Sequence, residues 1–189
     1  ISPLIDLQVH LSLTLACIFE LFTFYFIYRI VYRFSQRRDI GVLSILYYAL
    51  NPTVIFQTTN GLETSIEMFV LSLFVWFFIE WNQNKQIYKY AIIFGVVAGL
   101  LFLARSDTIF FIVVFYCIAA LSWGIFKFWK PIIVSGLAAF LMVAPWLIWN
   151  YFTFGSIFQV SGMAVPHAIY QRFLLSNIGV TRYEFFIEG

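Results

Sequence analysis

Apolar residues in this chain gather into long runs, and polar residues gather into short junctions between them. The runs fall at about 11–30, 40–58, 62–80, 90–104, 108–126 and 131–149. Most come close to the roughly 20 residues that carry an α-helix across a hydrocarbon core. A membrane β-barrel would instead show alternating segments of about ten residues, and none is visible. The pattern therefore predicts an all-α fold: a polytopic transmembrane helical bundle of about six spans within residues 1–155. Residues 156–189 are mixed in character and read as an outward-facing loop or the start of a further region. Within the spans, Asn51-Pro52 predicts a kink, because proline removes a helix hydrogen bond. Gly95 and Gly99 have the spacing that lets helices approach closely. Trp76 and Trp81 sit where an interfacial aromatic belt is expected.

Composition agrees with this reading. Hydrophobic residues make up 62% and charged residues 11%, and mean hydropathy is +0.91; a soluble domain has neither balance. Aromatic residues reach 22%, with 24 Phe, which reads first as packing surface and second as a groove for a lipid chain. Cys17 and Cys117 lie inside apolar runs, so no disulfide framework is expected. The chain opens at Ile1 rather than Met, and a piece of a longer protein is the expectation.

The placing of charge is more informative than its sum. If spans alternate, one side receives Arg29, Arg33, Arg37, Arg38, Lys85, Lys89, Lys127 and Lys130, while the other receives Arg105, Arg172 and Arg182. Basic residues favour the cytoplasmic side. The protein is thus expected in the cytoplasmic (inner) membrane, multi-pass, with both ends of the chain facing outward. Three polar junctions share that outer side: Asn60-Gly61-Leu62-Glu63-Thr64-Ser65, Arg105-Ser106-Asp107 and Trp149-Asn150-Tyr151.

These junctions hold the candidate chemistry, and each residue has a structural reading beside a functional one. Asn60-x-x-Glu63 matches a capping box, while Glu63 and Glu67, one helical turn apart, could instead present two carboxylates from the outer surface. Arg105 could snorkel while Ser106 or Asp107 caps the next helix. A guanidinium beside a helix N-terminus also suits a phosphate. Glu20, in mid-span, is either functional or an interhelical hydrogen-bonding group. Trp146, Trp149 and Tyr151 read as interfacial anchors before sugar-stacking platforms. His167 is assigned nothing. No metal-ligand cluster, phosphate-cradling glycine loop, nucleophile triad or nucleic-acid-binding stripe is present, so no cofactor is identified and a divalent metal stays open.

Taken in order, Asn60-Gly-Leu-Glu-Thr-Ser65, Gly99-Leu-Leu-Phe-Leu-Ala-Arg-Ser-Asp107 and Pro145-Trp-x-x-Trp-Asn-Tyr-x-x-Phe-Gly155 resemble the serial landmarks of bacterial membrane glycosyltransferases of the GT-C class. These are relatives of protein mannosyltransferases and arabinofuranosyltransferases. Ile1-Ser2-Pro3-Leu4 is similar to the Ser-Pro-Leu that ends the first outer loop in this family. The resemblance implies a transferase, hexosyl or pentosyl, that uses a polyprenyl-phosphate sugar as donor. Its acceptor would be a cell-envelope glycan, lipid or protein at the outer membrane face, and transfer would proceed with inversion. Such a site would need a cation for the donor phosphate, which Arg105 could supply, and carboxylates for sugar hydroxyls, which Glu63 or Asp107 could supply with Glu67 in support. The catalytic base is expected upstream of Ile1, and Asp6, lying after the Ser-Pro-Leu landmark, does not take that role. Many relatives have Arg-Pro-Asp where this chain has Arg105-Ser106-Asp107, a departure that keeps both charges. The competing reading is a transporter or flippase for a lipid-linked or small polar solute, with Glu20, Glu67 and the Asn51-Pro52 kink lining a pathway.

Overall fold

The computed structural model describes residues 3–155 apart from Gly61 and Gly124, and side chains from residue 10 onward except at 57, 59, 60, 62, 125–127 and 154. Seven α-helices occur among the described residues, and no strand. They are α1 (Pro3–Ser35), α2 (Arg38–Ala49), α3 (Pro52–Asn60), α4 (Leu62–Gln83), α5 (Tyr88–Ala104), α6 (Ile109–Trp123) and α7 (Ile125–Phe154), with a 3-10 turn at Ser106–Thr108. Four stretches are long and apolar enough to cross a membrane: His10–Ser35, Glu63–Gln83, Ser106–Trp123 and Phe128–Thr153. At most 33% of the residues in any of these windows are buried within the protein. The remaining apolar surface therefore needs a non-aqueous environment, as in a helical membrane bundle.

The segment expected as a single span at 40–58 is two helices. Neither α2, at about 18 Å, nor α3, at about 14 Å, reaches across a bilayer alone. Pro52 contributes no N–H and occupies the first position of α3, where none is needed. The Asn51 side chain accepts a hydrogen bond from the Thr53 N–H at 3.0 Å, so Asn-Pro acts as cap and first residue of a new helix. Helix α5 is apolar but 17 residues long. Helix α7 carries a break at Phe128, whose φ of −119° and ψ of 21° are non-helical. Pro131 follows within the first turn after that break, a position proline tolerates. At the other end of α1, Gln36 takes a left-handed φ of 56° and its N–H donates to Tyr32 O at 2.9 Å. That closes the helix as a glycine would.

Contacts divide the chain into units 1–143 and 144–189. In the first, α1 packs along α4 and α2, α4 along α5, and α3 against α4. A core forms on α4, α5 and α6 around Phe74, Trp81, Phe94, Leu101 and Trp123. Phe74 and Phe94 lie 4.6 Å apart, and Trp81 meets Trp123 edge-on at 4.6 Å. The belt position expected for Trp81 is therefore corrected. Its side chain is fully buried, because Phe94, Tyr116 and Trp123 surround it. The glycine pair acts as its spacing suggests. A Cβ on Gly95 would stand 2.1 Å from the Ser135 carbonyl oxygen, and one on Gly99 2.7 Å from Met142 Cβ, so α5 and α7 meet backbone to backbone. In the second unit, α7 ends where Gly155 takes a left-handed φ of 68° and donates its N–H to Tyr151 O at 3.0 Å. Trp149 and Tyr151 are exposed there.

Candidate active site

The two ends of the first unit differ in charge. At one end Arg33 donates to Gln83 Oε1, joining the last turns of α1 and α4, and the Arg29 guanidinium lies 4.8 Å from the Trp76 ring. Lys85 lies 5.3 Å from the Trp123 ring at that same end. At the opposite end Arg105 is the one basic residue placed among the described side chains of the helix termini. There α4 begins and α5 stops.

Arg105 owes its position to the end of α5. Its backbone is extended, with φ −152° and ψ 126°, and its N–H closes the helix on Leu101 O. Three residues on, the Thr108 hydroxyl lies 2.6 Å from Arg105 O and 3.1 Å from Leu101 O, donating to this pair of carbonyls. The Thr108 N–H also donates to Arg105 O. The chain is thereby folded back into the 3-10 turn, which brings Asp107 beside the Arg105 guanidinium.

Arg105 joins two elements. Its Nε and Nη2 donate to the two carboxylate oxygens of Asp107 at 3.2 and 2.8 Å. Its Nη1 donates at 3.2 Å to Oε2 of Glu67, which lies on the second turn of α4. Among the described residues the fork engages three of the five guanidinium N–H groups. The side chain is 44% exposed, against 16% for Glu67 and 60% for Asp107. The Glu67 charge, with the Asp107 hydrogen bonds next, holds the Arg105 guanidinium above its ordinary range. One cation between two carboxylates leaves the cluster net negative. Because it is largely open to water, the ion pairs orient the guanidinium more than they stabilise the fold.

Glu63 stands one turn above Glu67 on α4 and is exposed. It borders an apolar groove of about 490 Å³ between α4 and α5, lined further by Ile66, Val70, Leu100 and Leu103. A second apolar groove, of about 690 Å³, runs between α1 and α4 past Phe22, Phe26, Phe69 and Leu73. The structure thus brings Arg105, Asp107 and Glu67 into one hydrogen-bonded cluster, with Glu63 nearby on the same helix. Asp107 spends both oxygens on Arg105, and the 3-10 turn it belongs to has no side-chain cap bond. The side chains of Asn60, Asp6 and the Ser-Pro-Leu landmark are outside those the structure describes, and His167, Arg172 and Arg182 lie outside the described residues altogether. Two features escaped the sequence reading. Thr108 fastens the Arg105 backbone, and a threonine three residues after a helix-ending arginine was the available signal. The Glu67–Arg105 pair joins positions 38 apart, which requires the start of α4 and the end of α5 to be neighbours.

Glu20 is buried on α1. Its carboxyl oxygens accept from Tyr48 Oη at 3.3 Å and Thr58 Oγ1 at 3.0 Å. It meets none of the residues at the Arg105 rim by hydrogen bond or ion pair.

No curated protein and no solved structure matches the chain. The family profile described as dolichyl-phosphate-mannose-protein mannosyltransferase matches residues 9–149. That interval contains α2 to α6 whole, most of α1 and α7, and the whole Arg105 rim, so the chain belongs to this family of GT-C membrane glycosyltransferases.

Proposed function

We propose that the Arg105 rim receives the phosphate of a polyprenyl-phosphate sugar, and that the sugar passes to a cell-envelope glycan, lipid or protein acceptor at the outer face of the cytoplasmic membrane. The observation that carries this reading is the half-exposed guanidinium, oriented by two carboxylates, at the end of the bundle poor in other cations among the described residues. In the reaction the bond between the anomeric carbon and the phosphate oxygen breaks. A bond from the acceptor oxygen to that carbon forms with inversion, and the acceptor proton passes to a carboxylate base. Charge grows on the departing phosphate, and a fixed guanidinium stabilises that growth more than it stabilises the bound donor. Asp107 is the more exposed of the two carboxylates on Arg105, so its hydrogen bonds exchange for phosphate at lower cost than those of Glu67. Glu63 and Glu67 are placed to accept from sugar hydroxyls. The apolar groove beside Glu63 would hold the first isoprenoid units.

The transporter reading drew on Glu20, but Tyr48 and Thr58 occupy its oxygens. The test is to incubate the purified full-length protein in nanodiscs with radiolabelled polyprenyl-phosphate sugars, starting with the mannosyl donor in the family's name. Release of polyprenyl phosphate with transfer of label supports the proposal. Intact donors alongside protein-dependent movement of donor across proteoliposomes would favour the transporter.

A further inference from the structure

The mechanism proposed above leaves one buried acidic group unused. Glu20 sits midway along α1, 8% exposed, between Phe19 and Leu21 in a stretch long and apolar enough to cross a membrane. An acid at that depth is costly unless its polar atoms are matched. Here each oxygen has its own donor, and the two donors come from opposite sides of a chain break. Tyr48 lies on α2, two residues before the break, and Thr58 lies on α3, six residues after Pro52. Neither helix spans a bilayer alone, and the ladder of backbone hydrogen bonds between them is interrupted after Asn51, where Pro52 has no N–H and the Thr53 N–H turns to the Asn51 side chain. A broken helix in lipid has a soft joint at such a point. Glu20 bridges it from outside.

We infer that Glu20 is a positioning residue that latches α3 to α1 across the α2–α3 break. Thr58 is in the last turn of α3, which ends at Asn60, and α4 starts at Leu62, immediately before Glu63. A hydroxyl held at position 58 therefore fixes the approach to the helix that carries Glu63 and Glu67. Without it, α3 can pivot about Asn51-Pro52, and the start of α4 shifts relative to Arg105. Glu20 touches no reacting atom in this account and acts through Thr58.

The decisive measurement is a spin-label distance distribution between positions 21 on α1 and 56 on α3, both well exposed. It uses the full chain in nanodiscs, with the free cysteines Cys17 and Cys117 replaced by serine. The unaltered protein should give a single narrow distribution. Glu20→Leu, which removes both acceptors while suiting lipid, should broaden it, and Thr58→Val should do the same. Glu20→Gln can accept from one hydroxyl and donate to the other, so it should restore the narrow form. Tyr48→Phe should leave the α1–α3 distance unchanged. Narrow distributions in both Glu20→Leu and Thr58→Val would overturn the latch.

The catalytic consequence rests on the function proposed above. With donor transfer as readout, Glu20→Leu should lower kcat by at least about tenfold, the scale expected for a misplaced but intact site. Donor KM and the thermal midpoint should stay close to those of the unaltered protein. An unchanged kcat with a broadened distribution would refute positioning. Absence of transfer by the unaltered protein would instead sink the glycosyltransferase reading, and the distance measurement would still decide the latch.

Discussion

At the scale of single residues, the site turns on how a guanidinium is shared. A charged hydrogen bond contributes about 1.5–3 kcal/mol, and about 1.4 kcal/mol is a factor of ten in rate. Lysine at position 105 keeps the charge but loses the planar fork that meets Asp107 and Glu67 at once. Arg105→Lys should therefore lower kcat/KM for the lipid-linked donor by at least about tenfold, and activity near that of the unaltered enzyme would refute the fork's role. The two carboxylates are expected to behave differently. Asp107→Asn removes a negative charge from an exposed position, so donor KM should fall or hold while kcat changes little. Glu67→Gln loosens the half-buried arm that fixes the guanidinium against α4, so kcat should fall with KM nearly constant. Steady-state kinetics of the two variants, measured in parallel, check this split. Identical effects would mean that the carboxylates act only as bulk charge.

At the scale of elements, the close approach of α5 and α7 carries a stability prediction. Gly95→Ala would bring a methyl group against backbone at Ser135, which cannot turn aside. Gly99→Ala meets Met142 Cβ at 2.7 Å and the Ala139 carbonyl oxygen at 2.9 Å, a milder overlap than the 2.1 Å at Gly95. Overpacking of this kind costs about 1–3 kcal/mol. Thermal unfolding in detergent should show a lower midpoint for Gly95→Ala than for Gly99→Ala, and both should lie below the unaltered protein. An unchanged midpoint for Gly95→Ala would contradict the observed contact. The apolar runs, the glycine pair and the local Arg105–Asp107 neighbourhood were legible in the sequence because helix length, small-residue spacing and a two-residue separation are local properties. The division of 40–58 was half legible. Asn51-Pro52 announced a disturbance, but only the Asn51 cap on Thr53 turns a kink into the start of a second helix. The burial of Trp81 was not legible, because a tryptophan at a helix end joins the belt or the core according to its neighbours on other helices. The Glu67–Arg105 and Glu20–Thr58 pairs were hidden for the same reason, since each needs the helix order that packing decides.

At the scale of the molecule, one end of the bundle gathers cations and aromatic rings, and the other holds one arginine between two carboxylates, with Glu63 nearby. This asymmetry predicts the orientation of the protein in the membrane. With Cys17 and Cys117 replaced, cysteines at Lys85 and Arg38 should resist a membrane-impermeant maleimide applied outside intact cells. One at Asp107 should react. The reverse pattern would place the Arg105 rim on the cytoplasmic side and overturn transfer at the outer face. The central claim is that this rim handles the phosphate of a lipid-linked sugar, and it is tested most directly by Arg105→Ala in the full-length enzyme. Expression, thermal midpoint and the α1–α3 spin-label distance should match the unaltered protein, while transfer from a polyprenyl-phosphate sugar falls to background. Undiminished turnover in that variant would remove Arg105 from the mechanism and contradict the claim.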